Sequence, residues 1–388
     1  MHSITKAIRT QLGPTEQKEH SNPIFMTSSF CYDNAEEMRA VFADEKEANM
    51  YSRFINPNTQ EFEQKMAILE GTETAYSTAS GMAAIFSTFM ALLQQGDKIL
   101  ACNSIFGSTH TVLSKYLPKY GINHDYVSVK ATEQEWENSI DEHTKMIFLE
   151  TPTNPALDII DLEMIGRIAK KHQLIFVVDN CFATPLIQQP KKFGADIIVH
   201  SGTKWLDGQG RVLGGVVCGN KELIKEIYLF SRSTGPALSP FNAWILSKSL
   251  ETLDVRIERH ASNALYLAEK LENHPKIEWL KYPQLPSHPQ YEIAKKQMKN
   301  GGGLIAFNLK GGLDAGRTFL DQLKMLSLTA NLGDTRSIAS HPASTTHAKL
   351  SEEERQKVNI TPGLIRISVG LEHRDDILAD ILQALESI

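Results

Sequence analysis

LIFVVD at 174–179 and DIIVHSGTKWLDGQGRVLGG at 196–215 decide the fold class. Both contain unbroken apolar runs rather than an apolar/polar alternation, which is how a strand buried on both faces reads. KILAC at 98–102, KMIFLE at 145–150 and VLGGVVC at 212–218 repeat that texture, with helical patterns between them. The expected class is therefore α/β, a mainly parallel sheet with helices on both sides.

Outward from this block the texture changes. Residues 1–60 are mixed and polar, with Asn22-Pro23 and Asn56-Pro57 as turn signals, and read as an arm that leans on something else. The large α/β domain is expected over 61–250. Near 251–273, Leu253, Ile257, Ala261, Ala264, Leu267, Ala268 and Leu271 fall near one helical face. Strand-like runs at 303–309 and 364–369 follow, and a last helix has Asp375 and Asp376 in its first turn, where the macrodipole favours acidic groups. Residues 251–388 are thus expected to form a smaller α+β C-terminal domain.

The whole chain has 388 residues, 41% hydrophobic and 22% charged, which excludes disordered, collagen-like and disulfide-scaffold classes. With 40 basic and 46 acidic groups the net charge is −6, so a general nucleic-acid surface is not expected. Cys31, Cys102, Cys181 and Cys218 are widely spaced, without a CxxC pair or a Cys/His cluster at zinc-ligand spacing, and read as reduced thiols. No stretch approaches the roughly 20 apolar residues of a membrane span, and the N-terminus has no apolar core of a leader. A cytoplasmic protein is expected.

In an open α/β sheet ligands bind beyond the carboxyl ends of strands, so the polar residues after the apolar runs carry the interest. Asp179 ends LIFVVD; it either caps the next turn or faces a cation such as a protonated ring nitrogen. Lys204 follows DIIVHSGT, and a lysine partly desolvated at a strand end has a lowered pKa and can form a Schiff base with an aldehyde. Ser201 and Thr203 are spaced like a phosphate clamp. STASGM at 77–82 lies between a short strand at 74–76 and an apolar helix at 83–93, a junction suited to an anion. Arg366 sits inside the apolar strand LIRISVG at 364–370 and needs either an internal salt bridge or a bidentate carboxylate. An aldehyde-reactive lysine, a phosphate cradle, a carboxylate for a ring nitrogen and an arginine for a carboxylate are together what pyridoxal 5′-phosphate acting on an amino acid requires.

The chain resembles the Cys/Met-metabolism family of pyridoxal-phosphate enzymes from about residue 5 to its C-terminus. The motifs are YSRFINPNT at 51–59, SGM at 80–82, ETPTNP at 150–155, VVDN at 177–180, HSGTKWLDGQGRVLGG at 200–215 and LGDTRSIASHPASTTH at 332–347. The resemblance implies the fold-type I architecture, with a sheet of the seven-stranded type in the large domain. It implies Lys204 as the lysine that takes the cofactor aldehyde, Asp179 for the pyridine nitrogen, Asn154 near the phenolic oxygen, and Gly81, Met82, Ser201 and Thr203 for the phosphate. Tyr51 and Arg53 would reach the phosphate of a neighbouring subunit in a homotetramer built from dimers. Arg366, with Asn331, would bind the substrate.

One departure stands out. Many members carry a Tyr that stacks on the cofactor ring and moves protons; here the position is Phe106, which stacks but is neither acid nor base. Proton transfer then falls on Lys204, helped by Tyr51 from the adjacent chain. Ser108 stands where methionine γ-lyases typically carry a Cys. Asn331 before LGDTRS, HPASTTH at 341–347 and STGPALSPFNAW at 233–244 look most like the O-acylhomoserine sulfhydrylases, the O-succinylhomoserine branch in particular. The implied reaction is γ-replacement on an O-acyl-L-homoserine by sulfide. Cystathionine γ-synthase, a β/γ-lyase, methionine γ-lyase and a non-catalytic cofactor-binding relative remain the alternatives. Arg211 and Arg336 are candidates for a succinyl carboxylate. His341 and His347 lack a nearby third ligand, so no metal site is expected.

Overall fold

The computed structural model describes residues 1–345, 351–357 and 360–388. Its main sheet has seven strands: β1 (Thr74–Thr78), β2 (Lys98–Cys102), β3 (Asn123–Val127), β4 (Thr144–Glu150), β5 (Ile175–Asp179), β6 (Ile197–Ser201) and β7 (Gly215–Gly219), in the order β1-β7-β6-β5-β4-β2-β3. β2 is parallel to β3 and β4, β4 is parallel to β5, and β1 pairs antiparallel with β7. This is the α/β class expected. The unbroken apolar runs have the predicted cause, since every residue of β2 and all of β4 except Lys145 are buried.

A second sheet contains β8 (Ile277–Lys281), β9 (Leu304–Leu309), β10 (Ser327–Leu328), β11 (Ile338–Ser340) and β12 (Leu364–Ser368), in the order β10-β11-β12-β9-β8. Phe307, Ile365 and Ile367 from its strands pack with Leu267 and Leu271 of the helix Leu253–Leu271 and with Ile377 and Ile381 of the helix Arg374–Leu385. All seven anticipated face residues of the first helix are buried. Each side chain of this size contributes roughly 1.5–3 kcal/mol when removed from water.

The chain packs as two compact units. One holds Met1–Leu92, Val199–Thr203 and Val212–Glu251; the other holds Leu93–Ile198, Lys204–Arg211 and Thr252–Ile388. In the first, the helix Pro57–Glu70 begins with a reciprocal cap between Asn56 and Thr59. It buries Lys65 completely, with Glu61 and Glu251 each 2.9 Å from the ammonium. The N-terminal 60 residues include the helices Ser3–Arg9 and Ala35–Phe42 and leave Met26, Met38, Phe42 and Tyr51 exposed. No helix among the described residues is long and apolar enough to cross a membrane.

Candidate active site

Lys204 lies in the turn Gly202–Leu206 directly after β6, where its own backbone leaves helical angles (φ −90°, ψ −129°). Several contacts fix that turn. Arg256 donates to the carbonyls of Trp205 at 2.8 Å and Leu206 at 3.3 Å. Gly333, at φ +75°, lies so close that a Cβ there would be 2.7 Å from the Trp205 nitrogen, and only glycine serves. The lysine amine donates to Asn331 Oδ1 at 2.7 Å. Burial holds its pKa below the ordinary 10.5, and the nearby Arg366 charge lowers it further. This is the partly desolvated amine that the sequence suggested.

Arg366 is buried in β12. Nη1 donates to Asn154 Oδ1 at 2.8 Å and Nη2 to the Asn331 carbonyl at 3.3 Å, while Nε, also buried, has no partner. The internal salt bridge that was one sequence reading is absent among the described residues. Burial pushes the guanidinium down to about 10, opposed by the charge of Glu150. A buried cation with an unsatisfied donor is the arrangement a substrate carboxylate would complete. Asn331 joins the two cations, receiving Lys204 through its side chain and Arg366 through its backbone.

Asp179 ends β5, buried, and accepts the Cys181 amide at 3.0 Å. Opposite it in the parallel register stands Glu150, the last residue of β4. Burial and the Asp179 charge push the Glu150 carboxyl well above the usual range, against hydrogen bonds from the amides of Phe106 and Asn154 and the charge of Arg366. Two carboxyl groups side by side at strand ends suit a cationic ring beside them. Phe106, whose ring is substantially exposed, precedes the helix Gly107–Thr111.

The remaining expected residues lie in the other unit. Gly81 opens the helix Gly81–Leu92, whose first-turn amides, including that of Met82, stand at the positive end of the helix. A Cβ on Gly81 would lie 2.8 Å from the Cβ of Ser201, the last residue of β6. Thr203 Oγ1 accepts the Gly214 amide at 3.2 Å, leaving its own proton to donate elsewhere. Beneath this turn His200 and Glu70 form a buried pair at 2.5 Å. Arg53 donates to the Arg232 carbonyl and lies over the rings of Tyr51 and Phe54 at 5.4 and 4.8 Å. Lys204 is the next residue in the chain after Thr203, so the two groups are covalently continuous.

Other candidates have structural occupations. Arg211 bonds Asp207 through Nε at 3.0 Å and Nη2 at 2.8 Å, and Arg336 bonds Asp334 at 3.0 and 3.1 Å. His341 is buried between the Ser344 hydroxyl and the Pro362 carbonyl, each at 2.7 Å; His347 lies outside the described residues. No group of three His, Cys, Asp or Glu residues suited to a metal occurs among the described residues. One contributor had escaped the sequence reading: Glu150, although it ends an apolar run just as Asp179 does.

Residues 4–386 match the family described as Cys/Met metabolism PLP-dependent enzyme. An O-succinylhomoserine sulfhydrylase of Pseudomonas aeruginosa is 45% identical over 384 residues, covering 99% of this chain and 95% of that one. An L-methionine gamma-lyase of Fusobacterium nucleatum subsp. polymorphum is 44% identical over 369 residues, covering 94% and 93%. A crystal structure of a Campylobacter jejuni protein described as an O-acetylhomoserine (thiol)-lyase superposes with a TM-score of 0.94 at 37% identity, covering both chains fully. That crystal carries N′-pyridoxyl-lysine-5′-monophosphate. The residues of the present chain fit such a group: a lysine amine depressed by burial, a glycine cradle too tight for a Cβ, paired strand-end carboxyls, and a buried guanidinium with a donor to spare.

Proposed function

The chain belongs to the Cys/Met-metabolism family of pyridoxal-phosphate-dependent enzymes, and within it we propose γ-replacement on an O-acyl-L-homoserine, the O-succinyl ester first. Sulfide forms a C–S bond at Cγ as the C–O bond breaks, giving L-homocysteine and the free carboxylic acid. The observation that carries this reading is the Lys204–Asn331–Arg366 linkage, which sets an aldehyde-reactive amine and a carboxylate anchor at one residue's separation. Sulfide as nucleophile is supported by Asn331, the sequence motifs at 332–347 and 233–244 and the sulfhydrylase relatives; Ser108 stands where a methionine γ-lyase typically has a Cys.

Bound at Lys204, pyridoxal phosphate supplies the electron sink that makes the Cα and Cβ protons labile and lets the acyloxy group depart. Arg366 holds the α-carboxylate through Nε, so that the Cα–H bond is presented in one orientation. The Lys204 amine, free while substrate occupies the site, would take the Cα proton and serve as the proton carrier at Cβ and Cγ. Asn331 Oδ1 keeps that amine within reach between transfers. Asp179 would balance a positive ring nitrogen, and Asn154 would lie near the phenolic oxygen. Phe106 supplies an apolar face and no proton. Gly81, Met82, Ser201 and Thr203 would receive the phosphate, joined by Tyr51 and Arg53 from a neighbouring subunit of a cytoplasmic homotetramer built from dimers. The domain plan that goes with this is an arm over 1–60, a cofactor domain over 61–250 and a small domain over 251–388.

Both arginines considered for the succinyl carboxylate already bond an aspartate, so each would have to share its guanidinium with the ester. The test is a substrate panel on the purified, cofactor-loaded protein: O-succinyl- and O-acetylhomoserine with sulfide or cysteine, cystathionine alone and methionine alone. Homocysteine from O-succinylhomoserine and sulfide should form fastest. Faster release of ammonia and 2-oxobutyrate from methionine would reject γ-replacement in favour of the γ-lyase reading.

A further inference from the structure

On the reading that this site binds the cofactor, we propose that Glu150 is a positioning residue whose carboxyl group sets where Phe106 stands against the ring. Glu150 Oε2 accepts the Phe106 amide at 2.9 Å. Phe106 lacks the hydroxyl with which a tyrosine would tie itself to polar neighbours. Its place is set through the backbone: the amide held by Glu150, the carbonyl accepting from the His110 amide at 3.0 Å. The helix that follows has no side-chain cap at Phe106, so nothing on that side chain competes with this tether.

The same strand-end segment leads to Asn154, whose Oδ1 receives Arg366 Nη1 at 2.8 Å. A glutamate is suited to the tether because its acceptor oxygens project from one rigid point at the end of a buried strand. The charged and titratable groups that face it are Asp179 on β5, Arg366 on β12 and the buried Cys102 thiol on β2. With 3% of its surface exposed, Glu150 has no water to replace a lost partner. Any amide it releases is left unsatisfied.

The tether makes a graded prediction. Glu150→Leu removes the acceptor of the Phe106 amide; Glu150→Gln keeps a carbonyl oxygen that can still accept it, with an NH2 group in place of the other oxygen, so the tether is kept but loosened. Cofactor dissociation from the loaded enzyme should accelerate roughly tenfold for Leu, with Gln between wild type and Leu. The induced circular dichroism of the bound cofactor should fall in the same order, because it reports ring orientation. The thermal midpoint measured without cofactor should fall for Leu and change little for Glu150→Gln, whose amide partner is retained, which decides the matter if the Leu variant does not fold. Unchanged dissociation and dichroism in Glu150→Gln, or a loss confined to thermal stability, overturns the proposal. Failure of the wild-type protein to take up pyridoxal phosphate would instead defeat the cofactor reading itself.

Discussion

At the scale of single residues, the proposed chemistry depends on a lysine made unlike other lysines. Burial first and Arg366 second hold the Lys204 pKa below 10.5, which enlarges the neutral fraction of its amine at every pH below that value. The apoprotein takes up an aldehyde through the neutral amine. Its uptake rate should therefore rise with pH and level off before the pH at which an ordinary lysine would be half deprotonated. Asn331→Asp puts a carboxylate beside Nζ, favours the ammonium and should move that profile to higher pH; stopped-flow absorbance of cofactor uptake reads both. A wild-type profile centred at or above 10.5 would remove the desolvation argument. Lys204, Asp179 and Arg366 were legible in the sequence because each is a charged group set in or after an apolar run. Glu150 carries the same signature at the end of KMIFLE, yet one sequence gives no means of telling which strand-end acid meets a ligand and which holds the backbone.

At the scale of elements, legibility followed burial. β2, β4, β5 and β6 are continuous apolar runs and were found within a residue or so at each end. The run at 212–218 was anticipated three residues early, because Gly214 and Gly215 belong to the change from turn to strand. β3 escaped because NHDYV is an edge strand with one of five residues buried, so the apolar-run criterion had nothing to detect. β10 and β11, two and three residues long, are too short for a period to register. Close packing sets other choices that no periodicity reveals. Gly166, inside the helix Leu162–His172, faces the Phe193 carbonyl so closely that a Cβ would lie 1.8 Å from the oxygen. Gly166→Ala, which raises helix propensity in isolation, should here lower stability by about 1–3 kcal/mol, because backbone atoms must move apart. A fall in the urea midpoint without change in slope checks this; a rise would mean the helix shifts freely.

At the scale of the whole molecule, the proposed arm over residues 1–60 adds a requirement for a second chain. The lack of periodicity over residues 1–60 suggested an arm, but which subunit such an arm would serve cannot be written in a single chain's contacts, since Arg53 here bonds its own chain's Arg232. Complementation separates the possibilities. Arg53→Ala and Lys204→Ala proteins, each inactive, should regain activity when unfolded and refolded together. Random pairing makes about half the dimers mixed, with one of two sites intact in each, so about a quarter of wild-type activity is expected. No recovery would assign Arg53 to its own chain's site. The central claim, that this chain exchanges the acyl group of an acylhomoserine for sulfide, is tested most directly by product stoichiometry. With O-succinylhomoserine and sulfide, the wild-type enzyme should yield homocysteine and succinate one for one, and Lys204→Ala should yield neither. Succinate accompanied by ammonia and 2-oxobutyrate in place of homocysteine would contradict it.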